Sequence, residues 1–592
     1  MCRSKFSLLK AITCQIGFQY ALFNCPLGPS TVETDEKALS SQFERRHHPY
    51  PIRTDLSRAI VAFASVIKSL FHLITAHNQA SVVLSRKVNS FEQRRHTMRR
   101  HFLAAFGLGC LLVPFAVASD RLTVHEWGTF TSFQNEKGES LRRINTDDEP
   151  VPEFVHQLNH RYLFSPTDLI VDEQPRLTQG AATADRRVTM RLETPVLYFH
   201  LPQGSDVLTV DVSVDFRRGL LTQFFPNAHA TVKPPPDSPE DSPAESFTHS
   251  GSLIWSGVQV GKAGTIPETT DSVWLAPRKV NAAPLTVGDE SERFLFYRGV
   301  GDVKAPFRVE RKADQSLWIF VNPNELLQPE LPTPKNEVPG SISTEKTKLG
   351  RVPMNLWLPA LAKRHFWLLD VHPDGRSAYR RIPYNPSELR FGDRLFVTPG
   401  KFDENEFSPN SLTALRAEMR SALVEYGLFE DEADALLNTW QLSYFLSPGQ
   451  RLFFLVPQEW TDELLPLKLS VPADVKRVMV GRIELVTPAH RQLLKQLAET
   501  PVPDMTEVVA SMKALKADPL KRDAYNALAS GRGDSSILGV PVPPTYQAFL
   551  DLGRFRTSLI LDGIDREPKS SDHISRLSHL RFEIMHPGKL KR

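Results

Sequence analysis

The chain has 592 residues, of which 41% are hydrophobic and 23% are charged, a composition typical of a globular protein large enough for several structural units. The first 118 residues contain 15 Lys and Arg against 6 Asp and Glu, whereas the whole chain has a formal net charge of +3, so residues 119–592 carry −6. This mildly acidic part argues against nucleic acid as a partner, because phosphate binding requires clustered Lys and Arg.

A secretory signal peptide is predicted over residues 98–118. It has two arginines at its start, an apolar centre at 102–113 and an A-x-A cleavage site at 116–118. Because a signal peptide belongs at the start of a protein, we expect Met98 to be the true first residue and residues 1–97 to be a mis-assigned or disordered leader. A retained membrane anchor is the alternative.

The four cysteines, at positions 2, 14, 25 and 110, all precede the predicted cleavage site. The mature chain is therefore expected to act in the periplasm or the extracellular space without disulfide bonds. No transmembrane helix is expected in the mature part.

Residues 119–330 are predicted to form a β-sandwich-like domain. The segment DVLTVDVSVDF at 206–216 alternates apolar and polar residues, as a strand with one buried and one solvent-facing side does. Pro-rich stretches are expected to form exposed loops, and the one at 328–340 to separate two β units. Further strands are predicted at 188–201, 252–261, 293–300, 307–312 and 317–321.

A second β unit is predicted over residues 341–486, with a helical pair inserted at 408–445. A hairpin turn is indicated by the Asp-Gly pair in HPDGRSA, and three acids near the start of FEDEADALLNTW suit a helix N-terminus. From Thr487, a helix N-cap followed by proline, residues 487–592 are predicted to form three or four short helices. The expected fold is mainly β with α: antiparallel β-sandwich-like units, a helical pair, a β return and a C-terminal helical region.

Several phrases occur in a specific order between residues 121 and 490. They are VHEWGTFTSF (124–133), MRLETPVLYF (190–199), FLFYRGVG (294–301), YGLFEDEADALLNTW (426–440), RLFFLVPQEWTDELLPLKL (451–469) and RVMVGRIEL (477–485). Together they resemble a family of exported proteins of unknown function from planctomycete-like and related bacteria. The resemblance implies export, and it implies no activity, cofactor or catalytic residue.

The stretch LTVHEWGTFTSF at 122–133 contains the first candidate catalytic residues. On a strand, His125 and Trp127 point to one side and Glu126 to the other, so His125 and Glu126 cannot pair with each other. A buried Glu126 needs a cationic partner, for which Arg191 and Arg298 are the candidates. A structural ion pair is the commoner arrangement, and the functional alternative is that Glu126 or His125 lines a site.

Two further strands interleave charged and apolar residues, which indicates either buried networks or the walls of a cleft, and networks are the commoner case. The residues are Arg191 and Glu193 on one strand face, Tyr198 and His200 on the opposite face, and Arg482 and Glu484 on the last strand. Trp127, Tyr198, His200, Arg482 and Glu484 are the candidate binding residues.

Paired carboxylates and metal ligands are the remaining chemical signals. A glycosidase needs two carboxyl groups about 5–10 Å apart, and the available acids are Glu126, Glu193, Asp147, Asp148 and Glu149. The last three form a loop triplet that is more often solvated, or a weak Ca²⁺ site, than catalytic.

His156 and His160 have the i, i+4 spacing of the two histidines in HExxH zinc sites, and on a helix they would share one face. However, Gln157 stands where the HExxH motif has its general base. A divalent metal is the one cofactor class left open, with His156, His160, Asp147 and Asp148 as weak candidate ligands. The mature chain contains no P-loop, Rossmann or nucleophile-elbow motif.

Different classes of function stay open. The first is an exported binding or structural protein whose partner is envelope or extracellular polysaccharide or an envelope protein. The second is a secreted hydrolase, glycosidase-like or metal-assisted, that uses scattered carboxylates. The third is a scaffold whose C-terminal helices bind a partner through an exposed apolar face after Thr487. Convergence of Glu126, Glu193 and Arg298 in an open cleft would favour the hydrolase, and burial against arginines would disfavour it. Sugar stacking in the first case would use Trp127, Trp255, Trp274 and Trp357.

Overall fold

The computed structural model describes residues 121–145, 151–159, 177–178, 181–182, 185–233, 250–321, 365–383, 394–566 and 571–587. All of them belong to one compact unit, Ala116–Arg592. The predicted leader and signal peptide lie outside the described residues. So do Asp147, Asp148, Glu149, His160 and Trp357.

Strands dominate the first two thirds of the described chain and helices the last third. The strands are β1 Leu122–Gln134, β2 His156–Gln157, β3 Leu177–Thr178, β4 Ala181–Ala182, β5 Met190–His200, β6 Leu208–Phe216, β7 Gly219–Phe225, β8 His229–Lys233, β9 Ser250–Val260, β10 Leu285–Val287, β11 Glu290–Glu292, β12 Leu295–Gly301, β13 Phe307–Arg311, β14 Ser316–Val321, β15 Phe366–Val371, β16 Ser377–Arg381, β17 Arg394–Pro399, β18 Gly449–Leu455, β19 Leu467–Leu469 and β20 Ala473–Leu485. The α-helices are α1 Ser272–Leu275, α2 Ser411–Glu425, α3 Glu430–Thr439, α4 Gln458–Leu464, α5 Pro488–Glu499, α6 Thr506–Ala517, α7 Arg522–Ala529, α8 Pro544–Asp551, α9 Arg556–Arg566 and α10 Asp572–Met585. The predicted class, mainly β with α, is confirmed.

Fifteen strands form one mixed sheet, whose main order is β11-β10-β9-β7-β12-β5-β1-β20-β18-β15-β16. At its centre β1 is antiparallel to β5 and parallel to β20, and the β1–β20 register is unbroken from Leu122–Ala473 to Gln134–Leu485. Strands from both predicted β units, 119–330 and 341–486, therefore share one sheet instead of forming two. The parallel centre also differs from the antiparallel expectation, because it pairs strands that only tertiary folding brings together.

A second sheet, β13-β14-β17, contacts the large one through aromatic side chains. The ring of Phe307 on β13 lies 5.1 Å from that of Phe366 on β15 and 4.7 Å from that of Phe454 on β18. Phe396 on β17 closes the contact, 4.8 Å from Phe366. This apolar layer lies between strands of the two sheets, and the second sheet combines β13 and β14 of the first predicted unit with β17 of the second.

The predicted helical pair is α2 and α3, which pack on the side of the large sheet that carries Trp127 and Tyr198. Gly427 follows the end of α2, and its φ of +113° is a conformation that favours glycine. A π-helical turn, Gln441–Leu446, follows α3.

The C-terminal region begins as expected, with Thr487 as the N-cap of α5 and its hydroxyl accepting from the His490 N–H. Six α-helices, α5 to α10, follow in the described residues, more than the three or four expected. Pro519 follows the end of α6, and Gly553, with φ of +53°, separates α8 from α9. Each of these two residues ends a helix inside a segment that the sequence pattern predicts as one continuous helix.

None of the helices within the described residues combines the length and the hydrophobicity that a lipid bilayer requires of a spanning helix.

Candidate metal centre

Glu126, the first predicted site residue, is fully buried in an ion pair. Its carboxylate accepts hydrogen bonds from the Tyr297 hydroxyl and from Arg477 Nε. Arg477 stands opposite Glu126 in the β1–β20 register and also donates to Asp462, 2.9 Å away. The cation is therefore Arg477, and the expectation of Arg191 or Arg298 is wrong, because β20 lies beside β1.

Arg298 on β12 donates instead to the side-chain oxygen of Gln223. Burial raises the pKa of the Tyr297 hydroxyl well above its usual value, and the charge of Glu126 raises that pKa further. Tyr297 therefore stays protonated and serves as a hydrogen-bond donor.

Glu193 belongs to a separate network that is equally closed. It accepts from Arg191 Nη2 at 2.7 Å, from Arg482 Nη2 at 2.9 Å and from the Thr131 hydroxyl at 2.9 Å. Glu484 pairs with Arg451 at 3.1 Å. We call Arg191, Glu193, Arg451, Arg482 and Glu484 the buried arginine network, and every one of these residues is buried.

The structure thus does not bring Glu126, Glu193 and Arg298 together in an open cleft. Thr131, which binds Glu193, has the same strand parity as His125, so Glu193 and Glu126 contact opposite sides of β1. Each carboxylate is paired with arginine inside the core. This arrangement removes the geometric support for a glycosidase that uses Glu126 and Glu193.

The tryptophans expected to stack on sugars are core residues. Trp127, Trp255 and Trp274 are all buried. The indole N–H of Trp255 donates to the Pro226 carbonyl, and that of Trp274 donates to Glu292. Tyr198 is also buried and donates to the Pro277 carbonyl at 3.0 Å. These four aromatic side chains therefore stabilise the fold and offer no sugar-binding surface.

His156 lies on a strand, β2, and not on the helix that its spacing to His160 suggested. β2 pairs with β7, and this pairing holds the segment extended. His156 Nε2 lies 2.7 Å from Glu290 Oε1. The helical zinc pair is therefore wrong for His156.

A different pair of histidines meets on neighbouring strands. His125 on β1 stands opposite Tyr198 on β5, and His200 stands two residues further along β5. Because side chains two residues apart on a strand point to the same side, His125 and His200 share one face. Their ring centroids are 5.3 Å apart.

Helix α3 adds a carboxylate to this pair. Glu432 is fully buried. Its Oε2 lies 2.7 Å from His125 Nδ1, and its Oε1 lies 2.8 Å from His200 Nε2. The backbone N–H of Phe429 donates to Oε2 at 2.7 Å. We call His125, His200 and Glu432 the His–Glu–His cluster.

The opening of the cluster faces solvent past Phe429. The ring of Phe429 lies 4.6 Å from that of His125 and 4.7 Å from that of His200, and Phe429 is 47% exposed. The His200 side chain keeps 15% of its exposure. The cluster is therefore covered by one aromatic ring and not by a closed core.

The charge of Glu432 suits a cation. Burial alone would raise the pKa of Glu432, but hydrogen bonds from His125 and His200 outweigh it, so the pKa of Glu432 falls below its usual value. Glu432 is therefore ionised at neutral pH. Ionised carboxylate and neutral imidazole are the forms that bind metal ions.

One ligand atom from each residue of the cluster lies within 4.8 Å of the others. Two imidazole nitrogens and one carboxylate oxygen suit zinc and related divalent transition metals. Bonds of about 2.0–2.2 Å in a tetrahedral arrangement place ligand atoms roughly 3.3 Å apart. The nitrogens and carboxylate oxygens would therefore separate by about half an ångström when an ion enters.

Sequence reasoning identified His125 and His200 as candidates and missed Glu432. The carboxylate stands 307 residues from His125 and 232 residues from His200 along the chain. Three acids at a helix start also have an ordinary explanation, the helix dipole, so no local signal distinguished Glu432.

A surface pocket of about 450 Å³ lies between the turn after β13 and α5. Its lining includes Arg311, Lys312, Arg491 and Glu136. Glu136 binds Arg491 at 2.8 Å and Glu310 binds Lys312. Most of its charge is thus compensated internally, and the pocket is a weaker candidate than the cluster.

Comparison of the chain with protein-family profiles and with curated proteins gives no match.

Proposed function

We propose that the protein binds one divalent transition-metal ion through His125 Nδ1, His200 Nε2 and Glu432, and that it acts as a metal-assisted hydrolase. The observation that supports this proposal is the convergence of three metal-binding side chains from β1, β5 and α3 beside an exposed ring. Structural zinc sites have four protein ligands, whereas catalytic sites have three and an open position.

The chemistry follows from that open position. A bound divalent metal supplies Lewis acidity and a water molecule with a pKa of about 7. The Glu432 carboxylate is oriented toward the two histidines, because the backbone N–H of Phe429 donates to it at the start of α3. Phe429 shields the rings from bulk water, which strengthens electrostatic interactions at the cluster.

Location and substrate class are also proposals. The signal-peptide pattern at 98–118 supports a periplasmic or extracellular protein, as does the resemblance to exported proteins. Envelope or extracellular polysaccharide, or an envelope protein, remains the proposed substrate or partner.

A purely structural cluster is the second candidate, within a binding or structural protein. The observation that favours it is that both carboxylate oxygens of Glu432 already have histidine partners, 2.7 and 2.8 Å away. In that case the hydrogen bonds of Glu432 to the two histidines would hold α3 against the sheet without any metal.

Calorimetric titration of the chelator-treated full chain with Zn²⁺ or Co²⁺ separates the two candidates. We expect a stoichiometry of one ion per chain. At an ion concentration of about 100 times the Kd, the free energy of unfolding should also rise by roughly 2.7 kcal/mol. Glu432→Gln keeps the shape but removes the charge, and it should abolish binding. His156→Asn, which alters a histidine paired with Glu290 elsewhere, should bind as the wild type does. If the wild type, Glu432→Gln and His156→Asn all bind the ion equally, or all fail to bind it, the purely structural cluster is favoured.

A further inference from the structure

A lysine stands beside the cluster on the third strand of the central sheet. Lys476 on β20 is the register partner of His125 on β1. In a parallel pair, register partners point to the same side of the sheet. Lys476 therefore leaves the sheet on the face that carries His125 and His200.

The Lys476 side chain runs past the connection between α2 and α3, which also carries Phe429. A Cβ placed on Gly427 would lie 3.2 Å from Lys476 Cδ and 3.5 Å from its Cε. The aliphatic stem thus crosses Gly427, in the connection that leads to Phe429 and then α3. Glycine at 427 leaves room for this stem as well as allowing the backbone a φ of +113°.

Lys476 differs from the cations around it. Its neighbour Arg477 binds Glu126 and Asp462, and Arg420 on α2 binds Asp434. Lys476 is exposed, and it forms no ion pair with the described part of the chain. An ammonium group without a carboxylate partner beside a metal centre is available to a ligand.

Phe429 supports a ligand role at the same opening. It is the N-cap of α3, a position where Ser, Thr, Asp and Asn stabilise a helix and Phe does not. Its ring is also 47% exposed although it contacts both histidines. Helix capping does not explain this residue. Its ring packs on the two histidines and leaves an exposed apolar surface beside them, which would serve as a wall for a bound ligand.

The charges determine which ligand fits. A divalent ion on two neutral imidazoles and Glu432 keeps one positive charge, and Lys476 adds another. Asp431 on α3 accepts the N–H groups of Glu432 and Asn281 and offsets one charge. Asp474, two residues before Lys476 on β20, shares its strand face and has an interaction of its own. The bound ion and Lys476 therefore present positive charge at an opening with one apolar wall, which favours an anionic ligand.

On the basis of the proposed metal centre, we propose that its open position receives an oxyanion of the substrate, a carboxylate or a phosphate group, with Lys476 as its counter-charge and Phe429 as its apolar wall. In this arrangement Lys476 is a binding and specificity residue, and it is not a metal ligand. The substrate class is thereby narrowed to molecules that carry an acidic group next to the bond to be cleaved.

The test uses the full chain loaded with Co²⁺, whose visible absorption reports both metal binding and replacement of bound water. Inorganic phosphate and acetate are titrated separately, which distinguishes the two oxyanions. We expect at least one of them to change the spectrum, and Lys476→Met to weaken its binding about tenfold, with Co²⁺ affinity unchanged. Lys468→Met, at an exposed lysine on β19, is the matched control and should bind as the wild type does.

The outcomes separate this inference from the proposed function. Cobalt binding with no anion effect, or with an anion effect that Lys476→Met leaves unchanged, would overturn the inference alone. A failure to bind cobalt at all would overturn the metal centre and this inference together.

Discussion

Two polar clusters lie along the same side of β1, and their difference shows which kind of burial marks a functional site. The buried arginine network surrounds Thr131 and consists of arginines and carboxylates with no access to solvent. The His–Glu–His cluster contains His125, on the same strand, and opens past Phe429. Arginine stays protonated at any physiological pH and binds no metal, whereas imidazole does bind metal. The residue types and the exposed ring, not the buried charge itself, distinguish the site.

The largest expected effect comes from breaking the buried arginine network. Glu193→Ala leaves Arg191 and Arg482 buried without their shared carboxylate, which typically costs about 3–5 kcal/mol of the free energy of unfolding. Urea denaturation measures the change. Glu463→Ala, which removes a partly exposed partner of Arg217, is the control and should cost no more than about 1 kcal/mol. Similar losses in both variants would show that the network is not stabilising.

The second effect concerns His490, which packs on Phe555 at the start of the C-terminal helices. Burial lowers the pKa of His490 from 6.5 to about 4. Because the unfolded chain takes up this proton first, stability should fall by about 3 kcal/mol as pH decreases from 6.5 to about 4.

Urea denaturation across that pH range measures the slope, and His490→Gln should flatten it. A variant that keeps the wild-type slope would show that another group is responsible.

The third effect appears at lower pH and reports on the cluster. The pKa of Glu432 is lowered, so its contribution to stability is present above its ordinary value of 4.5 and is lost as pH falls below it. Glu432→Gln should remove this part of the acid transition when metal is absent. If the wild type and the variant lose stability in parallel below pH 4.5, the hydrogen bonds from His125 and His200 do not stabilise the charged form.

The smallest effect on stability is expected at Phe429. Phe429→Ser introduces a better N-cap for α3 and removes an exposed ring, so the free energy of unfolding should change by no more than about 1 kcal/mol. Metal release to a chelator should nevertheless become faster, because the ring no longer covers the histidines. Stopped-flow chelation measures the rate, with Leu520→Ser, at an exposed leucine away from α3, as the control. An unchanged rate would contradict a covering role.

The sequence predicted the local features of the fold well, because strand alternation and helix caps are local. β6 and β12 and the α2–α3 pair lie where the pattern placed them. The parallel partner of β1 was not predictable, since β20 begins more than 300 residues further along the chain and its pairing depends on tertiary packing.

The site followed the same rule. His125 and His200 belong to strands, so the sequence placed them among the candidates. Alternation failed within β5, because its extra residue between Glu193 and Val196 puts Arg191 and Glu193 on the same side of the sheet as Tyr198 and His200, and not on the expected opposite face. Glu432 and Arg477 became the partners of β1 residues only through the packing of α3 and β20. For the same reason the carboxylates that the sequence favoured, Glu126 and Glu193, proved to be internal ion pairs.

The most direct test of the metal centre is X-ray absorption on the full chain loaded with one equivalent of Zn²⁺. We predict a first shell of nitrogen and oxygen at about 2.0–2.1 Å, with the outer-shell scattering of two imidazoles. Glu432→Gln should lose the bound ion. A zinc shell without two imidazoles, or an unchanged spectrum in the variant, would contradict the assignment of His125, His200 and Glu432 as a metal centre.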